Sequence, residues 1–468
     1  MERRRRIAIR GATVVTMNAA REVLEQGDVL VADGRIQRVA TPAAAPEELA
    51  GYEVVGAQGL VLIPGLVQTH VHLCQTLFRG LADDLELLDW LRLRIWPLEG
   101  AHDAASLRCS ALAGISELLR GGTTTILDME SVHHTEAALE AILESGIRAI
   151  AGKCLMDHGE GVPPSLLEGI DEGIRESVEL LEAWDMRDDG RVRYALCPRF
   201  VVSCTDALLG EVRRVSEHYG VPVHTHAAEN QDEVALVKAE RGRLNVEHLA
   251  ELGLLGHRLV MAHGIWVEPG ELDLIAQGDA ALAHCPGSNL KLGSGIASTP
   301  RWLERGIRFG IGADGAPCNN HLDMWSEMRL SAILQKPFYG ARAMPASQVF
   351  ALATIDGARA LGLEDEVGSV EAGKRADLVL VDWSGSHHVP LGYTDVYSHL
   401  VYESKSSDVV LTMVDGRVLF AQGEVRTIDE AAVRRSCEAA LTRLVERSGI
   451  PIAPSGALAA LARRRDGR

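Results

Sequence analysis

Across residues 7–55 apolar and polar positions alternate in short runs separated by turn-forming residues. Residues 7–17, 29–32, 36–40 and 52–55 each read as a strand. Asp33-Gly34, between two of these runs, predicts a tight hairpin, because the primed turn needs positive φ at both central positions and Asp and Gly tolerate it. The same pattern returns near the other end of the chain, where residues 378–382, 409–414 and 418–421 are strand-like and Asp415-Gly416 supplies a matching turn. Neither set is long enough to bury both faces of a sheet alone. The N- and C-terminal strands are therefore expected to pair into one small β-sandwich.

Between these ends the rhythm changes. Apolar runs at 66–72, 124–129, 148–155, 192–198, 222–226, 259–263, 280–284 and 308–312 are each followed by helix-length amphipathic sequence. Residues 105–119 before Gly121-Gly122, and 206–219 before Gly220, carry a helix-stopping glycine just past their ends. Strands that alternate with helices pair in parallel, and eight such units favour an α/β fold built as a (β/α)8 TIM barrel. The expected organisation is 1–63 as the N-terminal part of the sandwich, 64–372 as the barrel, 373–427 as the C-terminal part of the sandwich, and 428–468 as a C-terminal helix and tail.

Barrels of this kind carry their reactive groups at the C-terminal ends of the strands. The first predicted strand ends Thr69-His70-Val71-His72, and residues at i and i+2 of a strand face the same side. The fifth ends His224-Thr225-His226, the sixth Ala262-His263-Gly264 and the eighth Gly312-Ala313-Asp314-Gly315. Three neutral imidazoles and a carboxylate suit Zn²⁺, with Fe²⁺ or Mn²⁺ as alternatives, and leave one position for water. Each element alone is weak, since a His-x-His pair also occurs as a satisfied polar pair and a lone His such as His263 is more often structural. Four strand ends with the right residue types carry the inference together. His284 and His321 are further pocket-lining candidates, whereas the histidines of predicted loops and helices, His387, His388 and His399 among them, receive no role.

Composition narrows the partners. The 468 residues hold 47 Lys+Arg against 65 Asp+Glu, a formal net charge of −18, which argues against a phosphate backbone as partner. The basic clusters at 3–6 and 463–465 read as solvated ends, and no run approaches the roughly 18 apolar residues of a membrane span. Eight cysteines without a Cys-x-x-Cys pair fit a reduced, cytoplasmic protein.

Several motifs strongly resemble the amidohydrolase superfamily. They are the stretch Pro64-Gly65-Leu66-Val67-Gln68-Thr69-His70-Val71-His72, His226-Ala227-Ala228-Glu229, Met261-Ala262-His263-Gly264, Ala283-His284-Cys285-Pro286-Gly287-Ser288-Asn289-Leu290 and Gly312-Ala313-Asp314. More narrowly, they look like the branch that contains guanine deaminase, S-adenosylhomocysteine and methylthioadenosine deaminases, and the s-triazine hydrolases. The resemblance implies that His70, His72, His226 and Asp314 hold a single metal, that Glu229 shuttles protons, and that His263 orients the water or the substrate. Relatives with two metals bridge them through a carboxylated Lys ending the fourth strand; here that strand ends Cys197-Pro198-Arg199, and Lys153 ends the third, so one metal is expected. By the same resemblance Glu229 takes a proton from water activated by zinc and delivers it to a ring nitrogen, and Asp314 accepts the remaining hydroxyl proton as the amine leaves.

Substrate contacts point in two directions. Gln75 and Arg199 resemble positions with which guanine deaminases hold a purine carbonyl and ring nitrogens. Glu99 resembles the place where adenosine-type deaminases hold ribose hydroxyls, and Lys153 stands at one of their Arg positions. The expected activity is zinc-dependent release of ammonia from the exocyclic amine of an adenosine-like or other purine-type N-heterocycle, a hydrolysis of C–N bonds in cyclic amidines. Alternatives are a guanine, 8-oxoguanine or pterin deaminase, an s-triazine chloro- or aminohydrolase and, from another class, a barrel that binds a metabolite without catalysis. The expected partners are this small molecule and water, with no nucleic acid or membrane. A homo-oligomer is expected too, with the apolar stretch 90–96 as its contact or as buried helix packing.

Overall fold

The computed structural model describes residues 6–41, 44–452 and 456. Most of both terminal basic clusters lies outside these residues. The N- and C-terminal strands do join, in one nine-stranded mixed sheet. Ile7–Val15 runs antiparallel to Val23–Ala32 and parallel to Leu60–Pro64, and Leu60–Pro64 runs antiparallel to Leu378–Asp382, with Leu62 opposite Leu380. Leu60–Pro64 thus connects the two halves. Its side chains show no alternation because nearly all of them are buried, so periodicity does not reveal it as a strand. Both Asp-Gly turns take the positive φ they were chosen for, with Asp33 at 52° and Gly34 at 78°, and Asp415 at 47° and Gly416 at 71°.

The second sheet has nine strands, eight of them parallel neighbours in the order Val192–Tyr194, Arg148–Gly152, Thr123–Met129, Leu66–His72, Arg308–Ile311, Ala281–His284, Leu259–His263, Val223–Ala227, with a short ninth beside Leu66–His72. Residues beyond the Val192–Tyr194 edge make isolated parallel bridges to the other edge strand, Leu196 to Val223 and Phe200 to His226. Two runs that read as continuous strands are broken. Residues 148–155 divide into Arg148–Gly152 and Cys154–Leu155, and residues 192–198 into Val192–Tyr194 and Cys197–Pro198. The reason is a close approach: a Cβ on Gly152 would lie 1.8 Å from the carbonyl oxygen of Ala195. The eighth strand ends at Ile311 and Asp314 belongs to a separate two-residue strand, Asp314–Gly315, that pairs with Val71 and His72. Gly312 permits the intervening turn, since a Cβ there would lie 2.6 Å from the carbonyl oxygen of His70.

Helices cover the parallel strands. Ala104–Arg120 starts at Asp103, whose side chain accepts from Ser106 N–H, and Asp206–Tyr219 stops at Gly220 with φ 73°. The two sheets are tied by the buried Arg148, which donates to Asp377 at 2.8 Å and to Asp415 at 2.7 Å. The C-terminal helix Glu430–Ser448 packs on Ala104–Arg120, fastened by the Arg120–Glu430 ion pair at 2.6 Å. In the apolar stretch 90–96 Trp90, Leu91, Ile95 and Trp96 are buried, whereas Leu93 is exposed. Among the described residues no helix is long and apolar enough to cross a membrane.

Candidate active site

Strand period brings His70 and His72 from Leu66–His72, and His224 and His226 from Val223–Ala227, to one end of the parallel sheet. Their outer nitrogens are tied down first. His72 Nδ1–H donates to the carbonyl of Met129 at 2.8 Å, and His226 Nδ1–H to the carbonyl of Arg199 at 2.7 Å. His224 Nδ1–H donates to the carbonyl of Val260 at 3.0 Å, leaving its Nε2 to accept from His70 Nδ1–H at 2.7 Å. In each of His70, His72 and His226 the inner Nε2 is consequently bare in the neutral ring.

Burial keeps these rings neutral: it lowers the pKa of His70, lowers that of His72 to about 4, and holds that of His226 well below the ordinary value. The bare nitrogens converge. His72 Nε2 and His226 Nε2 lie 3.1 Å apart with no proton to share, and Asp314 Oδ1 lies 3.2 Å from His70 Nε2 and 3.4 Å from His72 Nε2. Lone pairs facing one another in a buried site repel unless a cation lies between them. Imidazole nitrogens with one carboxylate are the donor set of a zinc-type divalent ion, and His70, His72, His226 and Asp314 could hold one. The buried nitrogen of His70 makes no hydrogen bond among the described residues, in keeping with that fit.

Glu229 lies beside this cradle. Its Oε2 is 3.3 Å from His263 Nε2, and the Nδ1–H of His263 donates to Asn289 Oδ1 at 2.9 Å. Burial, reinforced by the carboxylates of Asp314 and Glu233, pushes the Glu229 carboxyl well above its usual pKa, so it is poised to carry a proton. Ser288 donates to Asp314 Oδ2 at 2.6 Å. His263 and Asp314 hold φ of 75° and 63°, left-handed conformations that cost about 1–3 kcal/mol each in a non-glycine residue and cluster at working sites. Beside the cradle a cavity is lined by His72, Gln75, Arg199 and Phe200, and is roofed by Leu87, Trp90 and Leu91.

Residues 61–419 match the Amidohydrolase family. The chain belongs to this family. It is 36% identical over 422 residues to a 5'-deoxyadenosine deaminase of Methanothermobacter thermautotrophicus, covering 90% of this chain and 95% of that protein. It is also 36% identical to a 5-methylthioadenosine/S-adenosylhomocysteine deaminase of Moorella thermoacetica, covering 91% of this chain and 96% of that one. A crystal structure of an adenosine deaminase from Xanthomonas campestris with bound zinc superposes with a TM-score of 0.87 at 33% identity, covering 94% of this chain and 99% of that chain.

The remaining residues singled out by sequence divide. In this amidohydrolase Gln75 and Arg199 line the cavity, whereas Glu99 is occupied behind them. Arg199 Nη1 donates to Glu99 Oε2 at 2.6 Å, and Gln75 Nε2 donates to Glu99 Oε1 at 2.8 Å. Lys153 does not line the cavity: it is fully buried in ion pairs with Glu168 at 2.8 Å and Glu176 at 2.9 Å. The strand break after Gly152 accounts for this, because Lys153 no longer follows the strand's alternation. His284 is buried edge-on against Trp302, and His321 does not line the cavity. Sequence reasoning gave no role to His224, although it shares a strand face with His226, nor to Asn289, Ser288 and Ser294, which approach from the segment after the seventh strand.

Proposed function

We propose that this amidohydrolase is a zinc-dependent aminohydrolase that releases ammonia from the exocyclic amine of an adenosine-like nucleoside, with His70, His72, His226 and Asp314 as metal ligands. The observation that carries this is the convergence of bare imidazole nitrogens on Asp314, with the Glu229 carboxyl alongside. The zinc-bound adenosine deaminase neighbour and the deoxyadenosine- and methylthioadenosine-type relatives support the nucleoside class. Zinc, when bound, supplies a Lewis acid that brings the pKa of water down to about 7. Glu229 accepts the proton of the attacking water and passes it to the ring nitrogen, while His263, fixed by Asn289, holds the position of the reacting oxygen. Asp314 takes the remaining hydroxyl proton and gives it to the departing amine. Gln75 and Arg199 hold the heterocycle against Phe200 under the roof of Leu87, Trp90 and Leu91.

The same reading closes the eight parallel strands into a (β/α)8 barrel, supported by the Leu196–Val223 and Phe200–His226 bridges from beyond one edge of the sheet to the strand at the other. It folds the mixed sheet over as a small sandwich, supported by one apolar cluster that joins Ile9, Val31 and Leu62 to Leu378, Leu380 and Met413. The domains fall at 1–63, 64–372, 373–427 and 428–468. A cytoplasmic homo-oligomer with no nucleic-acid or membrane partner completes it, in keeping with eight free thiols and the acidic charge.

A second reading has one observation in its favour. Glu99, the residue placed to hold ribose hydroxyls, is engaged at both oxygens, by Arg199 and Gln75 at Oε1 and by Arg199 at Oε2. Arg199 then offers its remaining N–H groups to a ring carbonyl, and the buried Gln75 Oε1, which makes no hydrogen bond among the described residues, is available to a ring N–H. That edge belongs to a guanine- or pterin-like lactam. An ammonia-release screen over 5'-deoxyadenosine, methylthioadenosine, S-adenosylhomocysteine, adenosine, guanine, 8-oxoguanine, pterins and amino-triazines decides. Turnover of the adenosine series supports the first reading, turnover of the lactams alone supports the second, and ammonia from neither would overturn both.

A further inference from the structure

The segment between strands Leu378–Asp382 and Val409–Val414 gathers a second group of metal-type side chains, none of which lines the active-site cavity. His387 Nε2 lies 3.1 Å and His388 Nε2 3.2 Å from the same oxygen, Asp408 Oδ2. Lys405 N–H already donates to that oxygen at 2.8 Å, whereas Oδ1 accepts from Ser407 at 3.4 Å. A carboxylate oxygen offers about two lone-pair sites, so three N–H donors are one too many.

The other side of His388 sharpens the conflict. Its ring is fully buried, and Nδ1 makes no hydrogen bond among the described residues while lying 3.7 Å from Glu403 Oε2. If Nε2 carried the proton of a neutral ring and donated to Asp408, the bare Nδ1 would present its lone pair to a carboxylate. With Nε2 bare instead, Nδ1 carries the proton on the side where the Glu403 carboxylate lies, 3.7 Å away, and a carboxylate on that side of the ring suits a metal-bound histidine. Glu403 is itself positioned by His399 Nδ1–H at 2.6 Å, and the Trp383 ring lies 5.6 Å from His388 and 5.0 Å from His399, shielding the group.

We propose that His387 Nε2, His388 Nε2 and Asp408 Oδ2 form a second site for a zinc-type divalent cation, with Glu403 and His399 orienting His388. Two imidazoles and a carboxylate are the ligand chemistry of zinc, and the exposed His387 leaves the fourth position open to water and gives the ion an entry path. A cation there crosslinks residues 387–388 to Asp408, at the ends of two paired strands, and so anchors the intervening segment whose Val389, Leu391 and Tyr393 are exposed.

The test is metal counting on the full chain, equilibrated with zinc, freed of excess by gel filtration and measured by inductively coupled plasma mass spectrometry. About two zinc ions per chain are expected for the native protein, and about one for His387→Ala with ammonia release unchanged. About one is expected also for His70→Ala/His72→Ala, whose zinc-dependent rise in melting temperature should vanish when Asp408→Asn is added. A native count of one that falls to none in a folded His70→Ala/His72→Ala chain would overturn the second site. So would a count of two that persists in His387→Ala. A native count of one that is lost in His387→Ala but kept in His70→Ala/His72→Ala would sustain it and sink the active-site metal instead. His387→Gln, a milder change at a partly exposed position, serves if the alanine variant fails to fold.

Discussion

His70 and His224 are joined ring to ring, Nδ1 to Nε2 at 2.7 Å, and the far nitrogen of His224 is fixed by the carbonyl of Val260 at 3.0 Å. This chain sets the tautomer of His70 and aims its bare Nε2 at Asp314 Oδ1, 3.2 Å away. His224 therefore acts on the metal cradle without belonging to it. His224→Phe keeps the bulk and removes the acceptor, and such outer partners are worth about 10–100-fold in metal affinity. Zinc affinity measured by chelator competition should fall by about that factor. Unchanged affinity would show that His70 is oriented by packing alone.

Glu229 and His263 face one another at 3.3 Å, and the Glu229 carboxyl is pushed up by burial beside Asp314 and Glu233. A carboxyl whose protonated form is favoured in this way is suited to proton transfer. Glu229→Gln preserves shape and hydrogen bonding but cannot move a proton. It should lower kcat by about 10²–10⁴ while leaving zinc content unaltered. Full turnover in this variant would remove Glu229 from the mechanism.

These assignments were unequally legible in the sequence. Strand alternation and the strand-end rule, which act on local sequence alone, made His70, His72, His224, His226 and His263 legible as strand-end residues, whereas the choice of His70, His72 and His226 as ligands and the role of His263 came from the family resemblance. Asp314 was legible as a site residue but not as part of its own short strand, which depends on Gly312 fitting against the backbone of His70. Lys153 was singled out by resemblance at the end of residues 148–155, which look like one uninterrupted apolar strand, but the run divides after Gly152 and Lys153 does not line the cavity. The break is imposed by Ala195, more than forty residues away in the chain. His387 and His388 lie in the short helical turn Ser386–His388, too brief for periodicity to mark a shared face, and tertiary packing brings them to Asp408, whereas His399 meets Glu403 one turn along its own short helix. Leu60–Pro64 escaped for the opposite reason, since burial on both faces removes the alternation that signals a strand.

The buried Arg199–Glu99 pair predicts an asymmetry in stability. Both side chains are nearly inaccessible, and their 2.6 Å contact is extended by Gln75. Removing one partner strands a charge in the interior, which costs about 3–5 kcal/mol, whereas replacing both with apolar groups of similar volume is often nearly neutral. Urea denaturation should show Arg199→Met strongly destabilised and Arg199→Met/Glu99→Leu largely restored, although neither should keep native substrate affinity. A single variant as stable as the double would mean that water reaches the pair.

His102 makes stability depend on pH away from the metal cradle. Burial lowers its pKa from 6.5 to about 4, against the opposing pull of the Cys74 carbonyl, to which its Nε2–H donates at 2.9 Å. Between those values the unfolded chain binds the proton that the folded chain refuses, so stability rises with pH. The contribution is fully present above pH 6.5 and is lost as pH falls from about 6.5 towards 4, by about 3 kcal/mol in all. His102→Gln keeps a donor for Cys74 and does not titrate. The native protein should therefore lose about 3 kcal/mol more than the variant between pH 7 and pH 4 in urea unfolding. Curves that stay parallel over that range would show that His102 takes up its proton without unfolding the chain around it.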